Sequence, residues 1–225
     1  MTEPKFRHEL KHNINYYDYL ELTRKLKYFT KIDKNADDSG TYRIRSLYFD
    51  NFNDKALREK INGFSNREKF RIRYYNDDLS YIRLEKKSKH NGLCLKQKAI
   101  ITKKECEELI AGNLEFLKDP GKPLFLELYT KMQYHQLRPK NIVDYTREAY
   151  VYPIGNVRIT IDSKIRGNEF VGEFLNPDSM GIPLSNPIIL EIKYDEFLPQ
   201  IISDITQIRN RHAAAFSKYA AARIG

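Results

Sequence analysis

The chain has 225 residues, 41% of them hydrophobic, and a formal net charge of +9 from 39 Lys and Arg against 30 Asp and Glu. This length and hydrophobic content suit a single domain over 1–225 with a sizeable core. The positive excess indicates a polyanionic partner such as nucleic acid, a phosphate chain, a nucleotide or an anionic membrane surface, and charge alone does not choose among them.

Cysteine spacing and hydropathy exclude several further classes. Cys94 and Cys106 form no CxxC pair and no cluster with histidine, which argues against a zinc site or a disulfide framework. No run approaches the roughly 18 apolar residues that a membrane helix needs, and the first ten residues lack the apolar core of a signal peptide. We therefore expect a soluble cytoplasmic protein with no membrane segment in this chain.

The first half of the chain alternates between strand and helix patterns. Residues 5–13 alternate as a strand, and residues 14–29 repeat apolar side chains every three or four positions, which predicts a helix that packs on a sheet. A polar loop at 33–40 precedes a predicted strand over 41–51. Strongly basic strands follow from residue 67.

The segment 70-FRIRYYNDDLSYIRLEKKSKHNGLCLKQK-98 separates apolar and basic residues by parity. Phe70, Ile72 and Tyr74 fall on one side of a strand, whereas Arg71 and Arg73 fall on the other. The later part of the segment repeats this alternation with lysines. These strands are therefore predicted to have one hydrophobic face and one basic face.

The second half returns from helices to strands. Helices are predicted over 103–112, with Gly112 as the stop, and over 124–137. Strands are predicted over 141–152, 156–165 and 187–195. The stretch from Phe197 to Ile224 reads as two helical pieces.

Two architectures fit such two-faced strands. An open sheet could expose its charged face to solvent. Alternatively, the strands could close into a barrel with helices outside and a cationic interior, which would repel itself unless anions occupied it. Parity alone leaves both architectures open.

The order of short motifs resembles a known family. RHELKH, SLYFDN, REKFRIRYY, LEKKSK, KQK, YTREAY, VRITID, LEIKY and FSKY occur in sequence across nearly the whole chain. This series is similar to the polyphosphate polymerase domain of the vacuolar transporter chaperone complex, within the triphosphate tunnel metalloenzymes. The resemblance implies an α+β fold: an eight-stranded antiparallel closed barrel with helices outside and a C-terminal helix at one end.

The resemblance also implies roles for individual side chains. Residues expected to act on the transferring triphosphate are Lys11, Arg71, Arg73, Lys87, Arg147, Arg158 and Lys193. Residues expected to bind the rest of the substrate are Arg7, Lys89, Lys96, Lys98 and Lys218. Glu191, with Glu85, is expected to hold Mn²⁺ or Mg²⁺, and Asp162 has the same parity as a further candidate or a charge partner.

One departure from the superfamily bears on the reaction. The triphosphatase branch carries ExExK on its first strand, and here that register reads Arg7, Glu9, Lys11. The missing first glutamate removes one metal ligand and disfavours hydrolysis relative to transfer onto a phosphate chain. The resemblance, with which this departure agrees, therefore implies an ATP-dependent polyphosphate polymerase, with a metal-dependent inorganic or organic triphosphatase or a non-catalytic polyphosphate-binding module as alternatives.

The expected partners follow from the same resemblance. ATP and polyphosphate are expected to bind, and nucleic acid is not, because base recognition would need exposed aromatic side chains and a groove rather than inward basic rings. A separate membrane protein is a possible partner, which would place the chain at the inner face of a membrane.

Overall fold

The computed structural model describes residues 7–90, 93–208 and 216–224. Its strands are β1 (His8–Ile14), β2 (Lys31–Ile32), β3 (Thr41–Asp50), β4 (Arg67–Tyr75), β5 (Asp78–His90), β6 (Leu93–Ile101), β7 (Arg138–Tyr152), β8 (Val157–Asn168), β9 (Ile182–Pro183) and β10 (Ile188–Tyr194). Its helices are α1 (Tyr16–Phe29), α2 (Lys55–Ile61), α3 (Lys103–Ala111), α4 (Pro123–Tyr134), α5 (Gln200–Thr206) and α6 (Lys218–Ile224). None of the described helices is both long enough and apolar enough to span a bilayer.

Local sequence signals account for the helix boundaries. Asn15 and Thr102 each form a capping box with the acidic residue three positions later, so α1 and α3 begin where their first free N–H groups find acceptors. Gly112 ends α3 in the left-handed region at φ 88°, as predicted, because glycine has no Cβ to oppose that conformation. Helix α2 was not predicted, since Leu57 is its only buried residue and its apolar period is weak.

The strands form one antiparallel sheet whose main path runs β1-β10-β8-β7-β3-β4-β5-β6. Strand β2 pairs with β7, and β9 pairs with β8. In the described residues no hydrogen bonds join β1 to β6, so the predicted closed barrel is not observed. The eight antiparallel strands of the prediction are present, but as an open path with two short additions.

The sheet nevertheless curves until its two ends face each other. Glu9 on β1 lies at one end of the path and Lys87 on β5 lies near the other, yet the Lys87 Nζ is 3.3 Å from Glu9 Oε2. Side chains therefore meet across the opening that backbone hydrogen bonds leave. We call the concave side of the sheet the inner face and the space that it encloses the channel.

Apolar packing divides between the two faces. Alternate residues of β3, β4 and β5 pack outward against α3 and α4, while outward residues of β8 and β10 pack against α1 and α5. A third cluster lies on the inner face and includes Tyr145, Tyr48 and Tyr219 of α6, with the rings of Tyr48 and Tyr219 5.2 Å apart. The helices thus cover the outside, and α6 fills part of the inside.

Candidate functional site: the cation-lined channel

The inner face gathers most of the charged residues that parity assigned to it. The strand registers place Arg71 opposite Glu85, Lys87 opposite Lys96, and Lys11 opposite Glu191. Apolar neighbours along these strands, such as Ile72, Leu84 and Leu190, belong to the outer clusters, as expected for a two-residue period. The predicted cations on this face are Lys11, Arg71, Arg73, Lys87, Lys89, Lys96, Lys98, Arg147, Arg158 and Lys193, and α6 adds Lys218.

Two glutamates and three lysines meet where the ends of the sheet approach each other. The Lys11 Nζ lies 2.5 Å from Glu9 Oε1 and 3.2 Å from Glu191 Oε2. The Lys193 Nζ lies 2.5 Å from Glu191 Oε1 and 3.7 Å from Glu9 Oε2, and Lys87 reaches Glu9 from β5. Every carboxylate oxygen of this cluster therefore faces an ammonium group.

These neighbours keep both glutamates ionised. Burial and mutual repulsion would raise the pKa of Glu9, but Lys11, Lys87 and Lys193 lower it to about 2. Burial likewise opposes ionisation of Glu191, yet Lys193, Lys11 and Arg147 hold the pKa of that carboxyl well below its usual range. Carboxylates of this kind are weak proton acceptors at neutral pH.

A second cluster centres on Asp162, a fully buried residue of β8. Arg147 donates to it twice, with Nε–Oδ1 at 2.5 Å and Nη2–Oδ2 at 2.7 Å, and the Lys218 Nζ lies 2.5 Å from Oδ2. Both cations also lie over the ring of Tyr145, at 5.4 and 4.6 Å from its centroid. Burial would raise the pKa of Asp162, but Arg147 and Lys218 lower it to about 2. Asp162 thus orients two cations toward the channel.

A third cluster explains the position of Glu85. Arg71 donates through Nε to Glu85 Oε2 at 2.8 Å, and the Lys96 Nζ lies 2.6 Å from Oε1. The structure therefore pairs Glu85 with two cations on β4 and β6, whereas the carboxylate that adjoins Glu191 is Glu9. The structure thus places Glu9, and not the predicted Glu85, beside Glu191.

The remaining predicted arginines, Arg73 and Arg158, bind hydroxyl groups, and Arg158 also pairs with a carboxylate. Arg73 donates through Nε to Ser46 Oγ at 2.8 Å and through Nη2 to the Tyr145 hydroxyl at 3.0 Å. Arg158 donates to the Tyr42 hydroxyl at 2.8 Å and pairs with Asp33 Oδ2 at 2.8 Å. Asp33 was not predicted, because it lies in a loop where strand parity gives no signal.

Lys69, a partly buried lysine that lies over the ring of Tyr48, was not among the predicted site residues. The Lys69 Nζ lies 5.5 Å from the ring centroid of Tyr48, whose hydroxyl accepts a hydrogen bond from Arg71. Burial, Arg71 and Lys87 lower the pKa of Lys69 to about 7 against the influence of Tyr48. Burial would raise the pKa of Tyr48, but Arg71 and Lys69 lower it to about 7. Lys69 has the parity of Arg71 and could have been found by the same rule.

Three of the predicted substrate-binding residues lie at the edge of these clusters. Arg7 precedes β1 and is held by Asp195, at 2.8 Å from Nε, and by the carbonyl of Asn156. Lys89 lies opposite Arg67 toward one end of β5, and Lys98 lies opposite Glu85 on β6. The Arg7 side chain therefore lies at the rim of the sheet, where these partners hold it, and not in the channel interior.

The carboxylates of Glu9 and Glu191 could bind a divalent cation together with phosphate oxygens of a substrate. Across the described residues no three His, Cys, Asp or Glu side chains converge as a complete metal site. Mg²⁺ is commonly held by one or two carboxylates together with phosphate oxygens of the substrate, and Glu9 with Glu191 supplies such a pair. Lys11 and Lys193 would have to release these oxygens, which would free both ammonium groups for phosphate.

Comparison with known proteins agrees with the architecture. The family model for the VTC domain matches residues 6–224. A protein of Bacillus halodurans, provisionally assigned as an adenylate cyclase, shares 14% identity and a TM-score of 0.51, with 85% of this chain and 82% of that chain covered. At this identity the likeness shows the fold alone.

Two further solved structures match with lower TM-scores. A Vibrio parahaemolyticus protein with the same provisional assignment has 10% identity and a TM-score of 0.44, with 90% of this chain and 83% of that chain covered. A Pyrococcus horikoshii protein has 15% identity and a TM-score of 0.43, with coverage of 88% and 82%. No curated protein matches the sequence.

Proposed function

Because this chain belongs to the VTC domain family, we propose that it is a metal-dependent phosphotransferase that extends polyphosphate with the terminal phosphate of ATP. The family and the tunnel-type fold suggest an enzyme of the triphosphate tunnel class. The finer assignment to polymerisation rests on the chemistry of the channel.

The observation that carries the proposal is the excess of cations on the inner face. The carboxylates that contact these cations in the described residues, Glu9, Asp33, Glu85, Asp162 and Glu191, are fewer than the lysines and arginines on the inner face. Partly buried like charges repel one another unless anions offset them. A channel with this lining suits a chain of phosphates better than a single neutral substrate.

The state of the carboxylates favours transfer over hydrolysis. Hydrolysis by general base catalysis needs a proton acceptor with a pKa near the working pH. The pKa values of Glu9 and Asp162 are lowered to about 2, and those of Glu85 and Glu191 are also lowered. A terminal phosphate is already anionic and can attack without such a base, whereas water needs either a base or activation by a metal ion.

The channel side chains would then divide the work by position. Arg147 and Arg158, oriented by Asp162 and Asp33, would grip the nucleotide phosphates through planar forks. Lys11 and Lys193 would neutralise charge that develops on the transferring group. Glu191 with Glu9 would hold Mn²⁺ or Mg²⁺, which when bound polarises phosphoryl oxygens.

A metal-dependent triphosphatase is the second candidate. The observation in its favour is the pair Glu9 and Glu191, since two carboxylates near lysines could also serve a site that activates water. The two candidates differ in product: a polymerase releases ADP and builds long chains, whereas a triphosphatase releases free phosphate. A non-catalytic binding module would leave ATP unchanged.

The proposal is tested by incubating the purified chain with ATP and Mn²⁺ or Mg²⁺ and separating the products by length. We expect polyphosphate and ADP, and no chain growth once the metal is chelated. Glu191→Gln should retain phosphate affinity while losing chain growth, and Glu107→Gln on the exposed face of α3 should behave as wild type. Release of only free phosphate would move the assignment to the triphosphatase.

The cellular setting remains part of this proposal. ATP and polyphosphate are the proposed partners, nucleic acid is not, and a separate membrane protein would receive the product. We propose a cytoplasmic location, at the inner face of a membrane if that partner recruits the chain. Co-purification of the tagged chain from membrane and soluble fractions would distinguish the two placements.

A further inference from the structure

The lining of the inner face changes character at one mouth of the channel. Most of the sheet presents lysines, arginines and carboxylates inward, but the ends of β3, β4, β5 and β6 present Tyr42, Tyr75, Tyr81 and Ile100. The next residue along each strand packs in an outer cluster or lies in the outer ion pairs, so these four share the inner side. Tyr81 and Ile100 are each 48% exposed. We call these residues, together with Arg83, the aromatic mouth.

Arg83 lies between two rings of the aromatic mouth. Its Cζ lies 4.8 Å from the ring centroid of Tyr75 and 5.2 Å from that of Tyr81. Tyr75 in turn contacts the buried ring of Tyr42, with centroids 6.0 Å apart and the ring planes tilted by 55°. The stack of Tyr75, Arg83 and Tyr81 therefore ends at the half-exposed ring of Tyr81.

Arg83 differs from the other arginines of the channel in its partners. Arg71, Arg147 and Arg158 each pair with a carboxylate, whereas no described residue forms an ion pair or a side-chain hydrogen bond with Arg83, whose guanidinium lies over two rings. Its Nε is buried without a hydrogen-bond partner among those residues. A guanidinium held between two rings stacks readily on flat aromatic ligands and has donors to spare.

The aromatic mouth adjoins the arginines proposed to grip phosphate. The Tyr42 hydroxyl accepts a hydrogen bond from Arg158, and Tyr42 lies opposite Arg147 in the strand register. Arg83 lies opposite Arg73 on the neighbouring strand. A ligand that spans this region would meet flat apolar surface at one end and a dense cation array at the other.

We propose that the aromatic mouth binds the nucleobase of the nucleotide donor, with the base extending the stack on the exposed ring of Tyr81. This inference rests on the proposed function, because it names the subsite for the nucleoside part of that substrate. An inorganic phosphate chain has no apolar part and would gain nothing from these rings. The mouth should therefore raise affinity for nucleoside triphosphates over inorganic tripolyphosphate.

The test compares two ligands on the full chain by calorimetry: the non-hydrolysable β,γ-imido analogue of ATP, and inorganic tripolyphosphate. Base stacking on an aromatic side chain contributes enough that Tyr81→Ala should weaken nucleotide binding by roughly 10-fold. Tripolyphosphate affinity should stay within about 2-fold of wild type. Tyr81→Phe should bind both ligands as wild type, because it retains the ring.

Tyr134→Ala is the matched control, since that tyrosine is 82% exposed at the end of α4. It should change neither affinity. Equal losses for both ligands in Tyr81→Ala, or no loss for the nucleotide, would overturn the subsite. Because these are binding measurements without turnover, failure of the chain to build polyphosphate would refute the proposed reaction while leaving this result readable.

Discussion

Two arginine–aspartate pairs with buried carboxylates share strand β7 but lie on opposite faces of the sheet. On the inner face, Arg147 meets Asp162 at 2.5 and 2.7 Å; on the outer face, Arg45 meets Asp144 at 2.7 and 3.1 Å. The two pairs match in residue type and bidentate geometry. They differ in what surrounds the guanidinium, which is buried in Arg45 and partly exposed in Arg147.

The outer guanidinium has no free donor left. Besides Asp144, Arg45 donates to the carbonyls of Asn176 and Ser179 and lies 3.5 Å from the Tyr74 hydroxyl. These bonds fasten the segment between β8 and β9 to the sheet. Saturation with fixed protein acceptors marks this pair as structural.

The inner guanidinium is held but not saturated. Arg147 uses Nε and Nη2 for Asp162, and no described residue accepts a hydrogen bond from Nη1. Lys218 competes for the same carboxylate, and Tyr145 supplies a ring rather than an oxygen. A bidentate bond to a buried aspartate therefore does not by itself distinguish a structural arginine from one available to a ligand, whereas the number of unused donors does.

The largest expected difference between the two pairs is the loss of stability caused by Arg45→Met. The change removes the bidentate partner of the buried Asp144, leaves it only Arg43 with Nη2 3.6 Å from Oδ1, and deprives the Asn176 and Ser179 carbonyls of their donor. These losses should lower the free energy of unfolding by about 3 to 5 kcal/mol. Urea denaturation measures this loss, and added tripolyphosphate should not restore it, because the pair lies outside the channel. Arg24→Met on the exposed side of α1 is the control and should unfold as wild type.

Arg158→Ala should produce the opposite pattern. Arg158 pairs with Asp33 but is one-third exposed at 34%, so its loss should affect ligand binding more than folding. We expect affinity for the imido analogue of ATP to fall by about 2 to 5 kcal/mol, measured by calorimetry. Unchanged affinity together with a large loss of stability would show that this arginine belongs with Arg45.

Asp162→Asn tests whether ligand can replace a protein counter-ion. The change leaves Arg147 and Lys218 without their buried carboxylate and should destabilise the fold by about 1 to 3 kcal/mol. Tripolyphosphate should recover much of that loss, since binding to the folded state raises stability by mass action. Asp144→Asn, measured in parallel, should gain nothing from the ligand, and equal recovery of the two variants would contradict the distinction.

The smallest expected effect is a pH dependence confined to the channel. Burial and Arg71 lower the pKa of Lys96 to about 8 against the influence of Glu85, so its charge is lost as pH rises through that value. Tripolyphosphate affinity should therefore fall by roughly 2- to 5-fold between pH 7 and 9, as suits one exposed ion pair.

Lys96→Gln supplies the control, because comparing its pH profile with that of wild type removes the titration of the ligand itself. Stability should move the other way: the unfolded state holds the Lys96 proton up to its ordinary pKa of 10.5, so the contribution of this group to stability rises from about pH 8 to 10.5. If wild type and Lys96→Gln showed the same dependence of tripolyphosphate affinity on pH, Lys96 would not be part of the binding site.

Two-residue periodicity was enough to predict which face each channel residue occupies. Arg71, Arg147 and Arg158 lie on the inner face as their parity required, because successive side chains of a strand must alternate. The same rule could not predict whether the sheet closes. Closure depends on curvature and on the register of the end strands, which parity does not contain.

Strand order is the second quantity that local patterns omit. Glu85 and Glu9 share the inner parity, and only the placement of β1 beside β10 decides that Glu9 is the neighbour of Glu191. Asp33 and helix α2 were not predicted, for a different reason. A loop has no period, and a helix with one buried side chain has almost none.

The open seam between the ends of the sheet has a consequence for association between copies of the chain. Strand β6 ends the hydrogen-bonded path, and an unpaired strand edge is a template onto which another strand can add. Lys96 and Lys98 lie along that edge strand, so a second copy aligning its own β6 would bring ammonium groups together. The same lysines that suit the channel to phosphate would thereby keep the protein from growing into larger sheets.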